Sequence, residues 1–354
     1  MKILIDINHP AHVHYFRNFI KIMENKGHEF LIISRNKEIE HYLLNKYKIN
    51  FIDRGCGRNS FFKKIIYLVR TNYKIYKIVK RFQPRILLSF DSVYLSLSSI
   101  FLNADNIIFD DTEHASIEHL LSFPFAKHII TPDSYILDLG AKHIKFNGFM
   151  EQCYLLPKYY QSDINIYDFL NLKKRDRFVL LRFISWNAVH DVGQKGLTLE
   201  NKRELVENIS KYAKVFISSE KELPEDLKKY QIKIPAEKMH NVLNEASLLI
   251  GESGTMASEC AMLGTPAFFI NTLTAGTLEE QQDSGLLFMF KSFDGVLNKS
   301  IEILSTPKHI FLEKRDLLLK KKIDVTAFMV WFIENYPKSA KIMKENPDYQ
   351  NRFK

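Results

Sequence analysis

The sequence predicts an α/β protein made of two doubly wound halves, each a parallel sheet with helices on both faces. Two observations predict it. Short apolar runs of strand character alternate with longer amphipathic stretches in the first half, and the pattern restarts after residue 150, beyond a linker. The chain, at 354 residues, also exceeds one comfortable hydrophobic core, so two domains are expected.

In the first half, Lys2–Ile7 is a nearly continuous apolar run and reads as a buried strand. Val13–Asn25 has helical spacing and is stopped by Lys26-Gly27, and Glu29–Ile33 is the second strand. A helix over Lys37–Lys46, a short strand at Phe51-Ile52, a long helix Phe61–Phe82 and a strand Arg85–Leu88 follow. Asn106–Phe109 and His128–Ile130 are further strands on either side of a helix over Ser116–Leu121. Glu151–Asn171 is polar, aromatic and irregular, and reads as a linker.

In the second half, Phe178–Phe183 and Val215–Ser218 read as strands around a helix Glu200–Ser210, and Met239–Glu245 begins another helix. Strands follow at Ala246–Ile250 and Ala267–Ile270. The aromatic-rich helix Asp324–Asn335 is expected to pack back toward the first half. The expected domains are therefore 1–160 and 161–323, with 324–354 as the returning helix and tail.

Composition narrows the function classes. Apolar content of 46% and charged content of 26% are ordinary for a globular protein. Cys56, Cys153 and Cys260 are too scattered for a disulfide framework or a zinc site, which fits a reducing, cytoplasmic setting. The start Met1-Lys2-Ile3-Leu4-Ile5-Asp6 is strand-like rather than signal-like, and no window reaches the ~18–20 uncharged apolar residues of a spanning helix. Any membrane contact is thus expected to be peripheral, on the inner face. The formal charge is +9, and residues 1–150 carry 21 Lys and Arg against 14 Asp and Glu, an excess of seven.

The most informative stretch is Gly251-Glu252-Ser253-Gly254-Thr255-Met256-Ala257-Ser258-Glu259, followed by Leu263-Gly264-Thr265-Pro266. Its order is strand, small polar turn, helix, Gly-x-Pro stop, strand. Such a turn leaves N–H groups unpaired at a helix N-terminus beside the Ser253 and Thr255 hydroxyls, an arrangement suited to a phosphate or diphosphate. Glu259, between one and two helical turns further on, can accept hydrogen bonds from a ribose diol. An ordinary βα turn with Ser253 or Thr255 as N-cap is the competing reading.

In doubly wound folds, ligands bind beyond the C-terminal ends of the strands. The loop after the first strand carries His9, His12 and His14, and lacks the glycines of a dinucleotide fingerprint. His12 is the candidate acid–base group there and His14 a candidate substrate contact, since imidazole titrates near neutrality; the i, i+2 spacing is poor for a metal, and no metal ligand set is assigned. Asp91 follows the strand ending near Leu88, and Asp110, Asp111 and Glu113 follow Phe109. These acids suit proton transfer or sugar hydroxyls, while Asp110 or Asp111 could equally cap the next helix. Arg182 ends a strand and could neutralise a diphosphate, with a surface salt bridge as the alternative; Trp186 and His190 lie in the loop after it.

The helix Phe61–Phe82 lies in a segment, Arg54–Arg85, without any acidic residue. Lys63, Arg70, Lys74, Lys77 and Arg81 share one face, and Phe62, Ile66, Val69, Tyr73 and Tyr76 lie on another. An anionic membrane surface or a polyprenyl-phosphate acceptor would suit this helix; a plain solvated face is the alternative, and no nucleic-acid reader motif accompanies the charge.

The turn and the first loop together resemble known families. Leu248 through Glu259 with Leu263-Gly264-Thr265-Pro266 resembles the second-domain signature of GT-B-fold nucleotide-sugar enzymes. With Asp6-Ile7-Asn8-His9-Pro10-Ala11-His12-Val13-His14-Tyr15-Phe16 it is similar, along the whole chain, to a bacterial and archaeal family of GT-B-like proteins. The resemblance implies two Rossmann-type domains facing each other across a cleft. By similarity to the lipid-linked N-acetylglucosaminyltransferase of peptidoglycan synthesis, it implies a first-loop role for His12, a ribose role for Glu259 and donor-sugar roles for Gln281 and Gln282. By similarity to the non-hydrolysing UDP-N-acetylglucosamine 2-epimerase, it implies proton-transfer roles for Asp91 and Glu113 beside the Ser253–Glu259 turn. The chain departs from both: the epimerase's first-loop arginine and the transferase's glycine-rich first loop are missing.

The expected activity is metal-independent, cofactor-free glycosyl transfer from a nucleotide-diphosphate sugar, UDP-linked, to a glycan or polyprenyl-linked acceptor in surface polysaccharide or glycolipid assembly. Ser253, Gly254 and Thr255 would hold the diphosphate, with Arg182 as counter-charge, and His12, Asp91 or Glu113 would serve as base. A UDP-sugar 2-epimerase and a non-catalytic GT-B-like binding protein are the alternatives.

Overall fold

A computed structural model of the chain describes residues 1–36, 38–55, 61–162, 165–174, 176–184 and 196–354, with the backbone alone at 38 and 61–66. It contains two compact units. One comprises Met1–Tyr159 together with Lys322–Lys354, and the other Tyr160–Lys321.

The first unit is built on seven strands: β1 Lys2–Ile7, β2 Glu29–Ser34, β3 Phe51–Asp53, β4 Ile86–Phe90, β5 Asp105–Phe109, β6 His128–Pro132 and β7 His143–Phe146. They pair in the order β3-β2-β1-β4-β5-β6-β7, every pair parallel. Leu4 of β1 sits in register with Leu31 of β2 and Leu87 of β4, and Leu4, Leu87, Ile33, Ile75, Val79 and Leu95 form one core cluster. Burial on both faces explains why these strands read as apolar runs rather than alternating patterns.

The second unit has five parallel strands: β8 Phe178–Phe183, β9 Lys214–Ser219, β10 Leu248–Gly251, β11 Ala267–Ile270 and β12 Leu287–Phe290. Their order is β12-β11-β10-β8-β9. In each sheet the strand order reverses next to the first strand, between β1 and β4 and between β8 and β10. Doubly wound sheets place their ligands at such reversals.

Several elements differ from the sequence-based expectation. The first helix is Pro10–Asn25, not Val13–Asn25, because Pro10 suits the first helical turn and His9 caps it, its Nδ1 accepting from the Ala11 amide at 3.2 Å. The segment expected as linker begins with a helical turn, Gln152–Leu155, whose four side chains are buried in the first unit. Its polar and aromatic letters hid core positions: Gln152 donates to the Ile323 carbonyl, and the Cys153 carbonyl accepts from Asn18 and Thr326. Strands β7 and β12 and the helix Val93–Ser99 were too short for periodicity to reveal. Among the described residues, no helix is long and apolar enough to cross a membrane.

Candidate functional site

In the second unit, the ends of β8 and β10 meet at Arg182 and Gly251, which are in register. Only glycine fits there, since a Cβ on Gly251 would lie 2.5 Å from the Arg182 carbonyl oxygen. Ser253 then caps the helix Gly254–Leu263, its Oγ accepting from the Met256 amide at 3.4 Å. The cap uses one amide; those of Gly254 and Thr255 open the helix and have no carbonyl within it to bond. Ser253 to Met256 are half-exposed, whereas Ala257 to Leu263 are all buried. The helix therefore meets solvent only at its positive end. Gly264, at φ 77°, closes it in the left-handed conformation that stops a helix cleanly.

Glu252, beside Gly251, was not singled out from sequence. It is buried, and its carboxylate accepts from the Ile184 amide at 3.0 Å and the Leu197 amide at 2.7 Å. One side chain thus ties both ends of the connection that leaves β8. Trp186 and His190 belong to that connection and lie outside the described residues.

Glu259 is buried on the same helix as the Ser253 cap, and its Oε1 is 2.9 Å from Nε2 of His240. Arg182 donates to Ser218 at 2.9 Å and to Glu220 at 2.5 Å. Burial lowers the guanidinium's hold on its proton, opposed by the carboxylates of Glu220, Glu259 and Glu252. Arg182 is therefore already paired, and serving as counter-charge to a diphosphate would require it to exchange Glu220 for the ligand. Gln281 and Gln282 diverge, as adjacent residues on the helix Gly276–Asp283 must. Gln281 is buried and donates to Ser258 Oγ at 2.7 Å, leaving its Oε1 without a hydrogen-bond partner, whereas Gln282 accepts from the Met289 amide at 2.9 Å.

In the first unit, the ends of β4, β5 and β6 gather an acidic cluster. Asp91 follows β4 with φ 42°, a left-handed conformation that Asp tolerates at some cost. Its carboxylate accepts from Ser122 Oγ and lies 3.8 Å from Nε2 of His119. The same imidazole nitrogen is 3.1 Å from Asp110, which also accepts from the Tyr135 hydroxyl at 2.7 Å. Burial and the Asp110 charge push the Asp91 pKa up to about 7, against Ser122 and His119, which favour the ionised form. For His119, burial disfavours the charged ring, but the hydrogen bond and charge of Asp110, with Asp91, win and raise its pKa. Asp111 is held well above the usual carboxylate range by burial and by Glu151 and Asp110.

The capping reading of Asp110 and Asp111 fails: Ala115 is the N-cap of the helix Ser116–Ser122 and makes no side-chain cap. Glu113 accepts from the Ile136 amide at 3.2 Å. His12 stands against Phe90, the residue before Asp91, with ring centroids 4.9 Å apart. His14 turns elsewhere, stacked on Tyr154 at 5.1 Å with Arg17 3.4 Å from its Nδ1, and is buried.

At the reversal between β1 and β4, buried Asp6 accepts from Ser92 and lies 3.5 Å from Nε of buried Arg54. Arg54 also donates to Asn8 and sits 4.2 Å over the Tyr94 ring. An arginine absent from the first loop in sequence is thus brought to it from the end of β3. Asp6, Arg54, His119, Tyr135, His240 and Glu252 were missed because their partners lie beyond the reach of helix or strand spacing; only Asp6, an acid inside an apolar strand run, carried a local signal.

The chain belongs to the family described as Protein of unknown function (DUF354), whose model matches residues 1–330. An uncharacterised protein of Methanocaldococcus jannaschii is 26% identical over 278 residues, spanning 75% of this chain and 80% of its own length. In structure, the chain is similar to UDP-GlcNAc 2-epimerase from Neisseria meningitidis bound to UDP-GlcNAc, with a TM-score of 0.64 and 12% identity, covering 89% of this chain and 94% of that one. It is similar also to the spinosyn rhamnosyltransferase complexed with spinosyn aglycone, with a TM-score of 0.62 and 11% identity, covering 95% of this chain and all (100%) of that one. At such identities the likeness is one of fold, and the fold is GT-B-like.

Proposed function

We propose that the protein transfers a sugar from a nucleotide-diphosphate donor, UDP-linked, to an acceptor hydroxyl in surface polysaccharide or glycolipid assembly. One observation carries this reading: the helix Gly254–Leu263 is buried except for its N-terminal turn, and that turn presents Ser253, Gly254 and Thr255 with buried Glu259 behind it. A helix N-terminus in this setting favours a diphosphate. Glu259, oriented by His240, takes the ribose hydroxyls, and Gln281, with an unfilled acceptor, takes a donor group of the sugar.

The base proposed for the transfer is Asp91. A carboxylate with a pKa of about 7 is ionised in a large fraction of molecules at neutral pH, yet still basic enough to take a hydroxyl proton. The acceptor oxygen attacks the anomeric carbon as its proton passes to Asp91. The bond from that carbon to the diphosphate oxygen breaks, and the nucleoside diphosphate leaves with the electron pair. Helix-end amides stabilise the charge that develops on it.

A second reading, 2-epimerisation of the UDP-sugar, is favoured by one feature: Asp91 and Asp111, on neighbouring strand ends, both have raised pKa values. Two such groups could remove and return protons. The protein is incubated with UDP-sugars, and products are followed by anion-exchange chromatography. UDP release that depends on added acceptor supports transfer; epimer or free UDP without acceptor supports epimerisation. Failure to bind UDP by calorimetry rejects both.

A further inference from the structure

We propose that the first unit docks on anionic phospholipid membranes through the face that the helix Phe61–Phe82 exposes from Val69 to Arg81 and the neighbouring turn at Ile100–Phe101. The residues of this surface are not among the groups assigned above to nucleotide binding or proton transfer, and the proposal does not depend on the activity proposed for those groups.

The helix buries one stripe, Thr71, Ile75 and Val79, against the sheet. Spacing of four residues keeps such a stripe on one side, so the opposite side is left to solvent. There, Val69 is 64% and Tyr73 58% exposed, more than a solvated helix face requires. Arg70, Lys74, Lys77, Lys80 and Arg81 are exposed around them. The side chains of Phe62, Lys63 and Ile66, expected on the same helix, lie outside those described.

The structure extends this face beyond the helix. Phe101, 73% exposed, has its ring 6.5 Å from that of Tyr76, and Ile100 beside it is 53% exposed. Lys77 and Lys80 lie over the rings of Tyr73 and Tyr76, at 4.5 and 5.9 Å. Cations ringed around aromatic and aliphatic side chains match the boundary between headgroups and acyl chains: the ammonium and guanidinium groups meet lipid phosphates, and the apolar side chains enter below them.

Charge decides among partners. With no acidic residue from Arg54 to Arg85, a second copy of the face would be repelled. Nucleic acid would use the cations, and could stack on Tyr73, but has no use for exposed Val69 and Ile100. A bilayer uses both.

The test is co-sedimentation of the full chain with vesicles of phosphatidylcholine alone or mixed with phosphatidylglycerol. Binding is expected only to the mixed vesicles and should weaken as salt rises. The pair Tyr73→Ser and Phe101→Ser, both solvent-exposed positions, should weaken binding by at least about tenfold, and so should Arg70→Glu with Lys77→Glu. Neither pair touches the groups assigned to nucleotide binding or proton transfer, so UDP affinity should stay unchanged. Equal sedimentation of wild type and both variants overturns the proposal, as does indifference to phosphatidylglycerol. Tight binding to a single-stranded oligonucleotide with none to vesicles assigns the face to nucleic acid instead. Unfolding of either variant, read by circular dichroism, leaves the lipid and salt dependence of the wild type to decide.

Discussion

His240 Nε2 and Glu259 Oε1 lie 2.9 Å apart, and both side chains are buried in the second unit. The pairing holds the carboxylate in one orientation on the second turn of a helix whose first turn is open. It also means that removing Glu259 affects the protein in two separable ways.

Glu259→Ala should weaken UDP binding by more than about tenfold, or about 1.4 kcal/mol, by loss of the ribose contact. It should also lower the melting temperature, because the buried hydrogen bond between Glu259 and His240 is lost. Calorimetry measures the first effect and thermal unfolding the second. Unchanged affinity in a folded variant refutes the ribose role.

The Asp91 cluster predicts a pH dependence with a definite sign. Asp91 has a folded-state pKa of about 7, above its ordinary 3.8, so the folded protein binds that proton more tightly. Its contribution to stability is complete below about pH 4 and is lost as pH rises through about 7. Asp110, His119, Ser122 and Glu118 face it and shift its hold on the proton, so the transition belongs to the cluster. Asp91→Asn should flatten the dependence of melting temperature on pH across this window, and should abolish transfer while leaving UDP affinity intact. Parallel melting curves for variant and wild type would sink the assignment.

Gly251→Ala should destabilise the second unit by roughly 1–3 kcal/mol, because the new methyl would meet the Arg182 carbonyl oxygen and side chain at 2.5 and 2.7 Å. Chemical denaturation reads this directly. A change within about 0.5 kcal/mol would mean the two strands separate without cost.

The adjacent glutamines should behave differently. Gln281→Ala should reduce affinity for a UDP-sugar by about fivefold to tenfold relative to UDP, since its unpartnered Oε1 is assigned to the sugar. Gln282→Ala should leave that affinity within about twofold, because Gln282 is engaged with the Met289 amide. Equal effects at both positions would remove the assignment of Gln281.

Much of this architecture was legible in the letters. Buried parallel strands are apolar on both faces, so Lys2–Ile7, Phe178–Phe183 and Ala267–Ile270 are recovered at the same limits in structure. The helix at Gly254 was legible because a small polar turn before it and Leu-Gly-x-Pro after it are local punctuation. Short elements such as β7, and the buried turn Gln152–Leu155, were not, since four residues hold too few repeats to display a period.

By itself, the sequence determined what depends on neighbours along the chain: strand and helix type, the small polar turn before the helix at Gly254, the acid-free helix, and the strand-end loops in which chemistry would sit. Tertiary structure alone decided which charges meet. Asp91 finds His119, Glu259 finds His240, Arg182 finds Glu220, and Arg54 reaches the first loop from the end of β3. The physical reason is that a side chain's proton affinity and partner are set by distances across the fold and by burial, and neither has a period that spacing in the sequence can express.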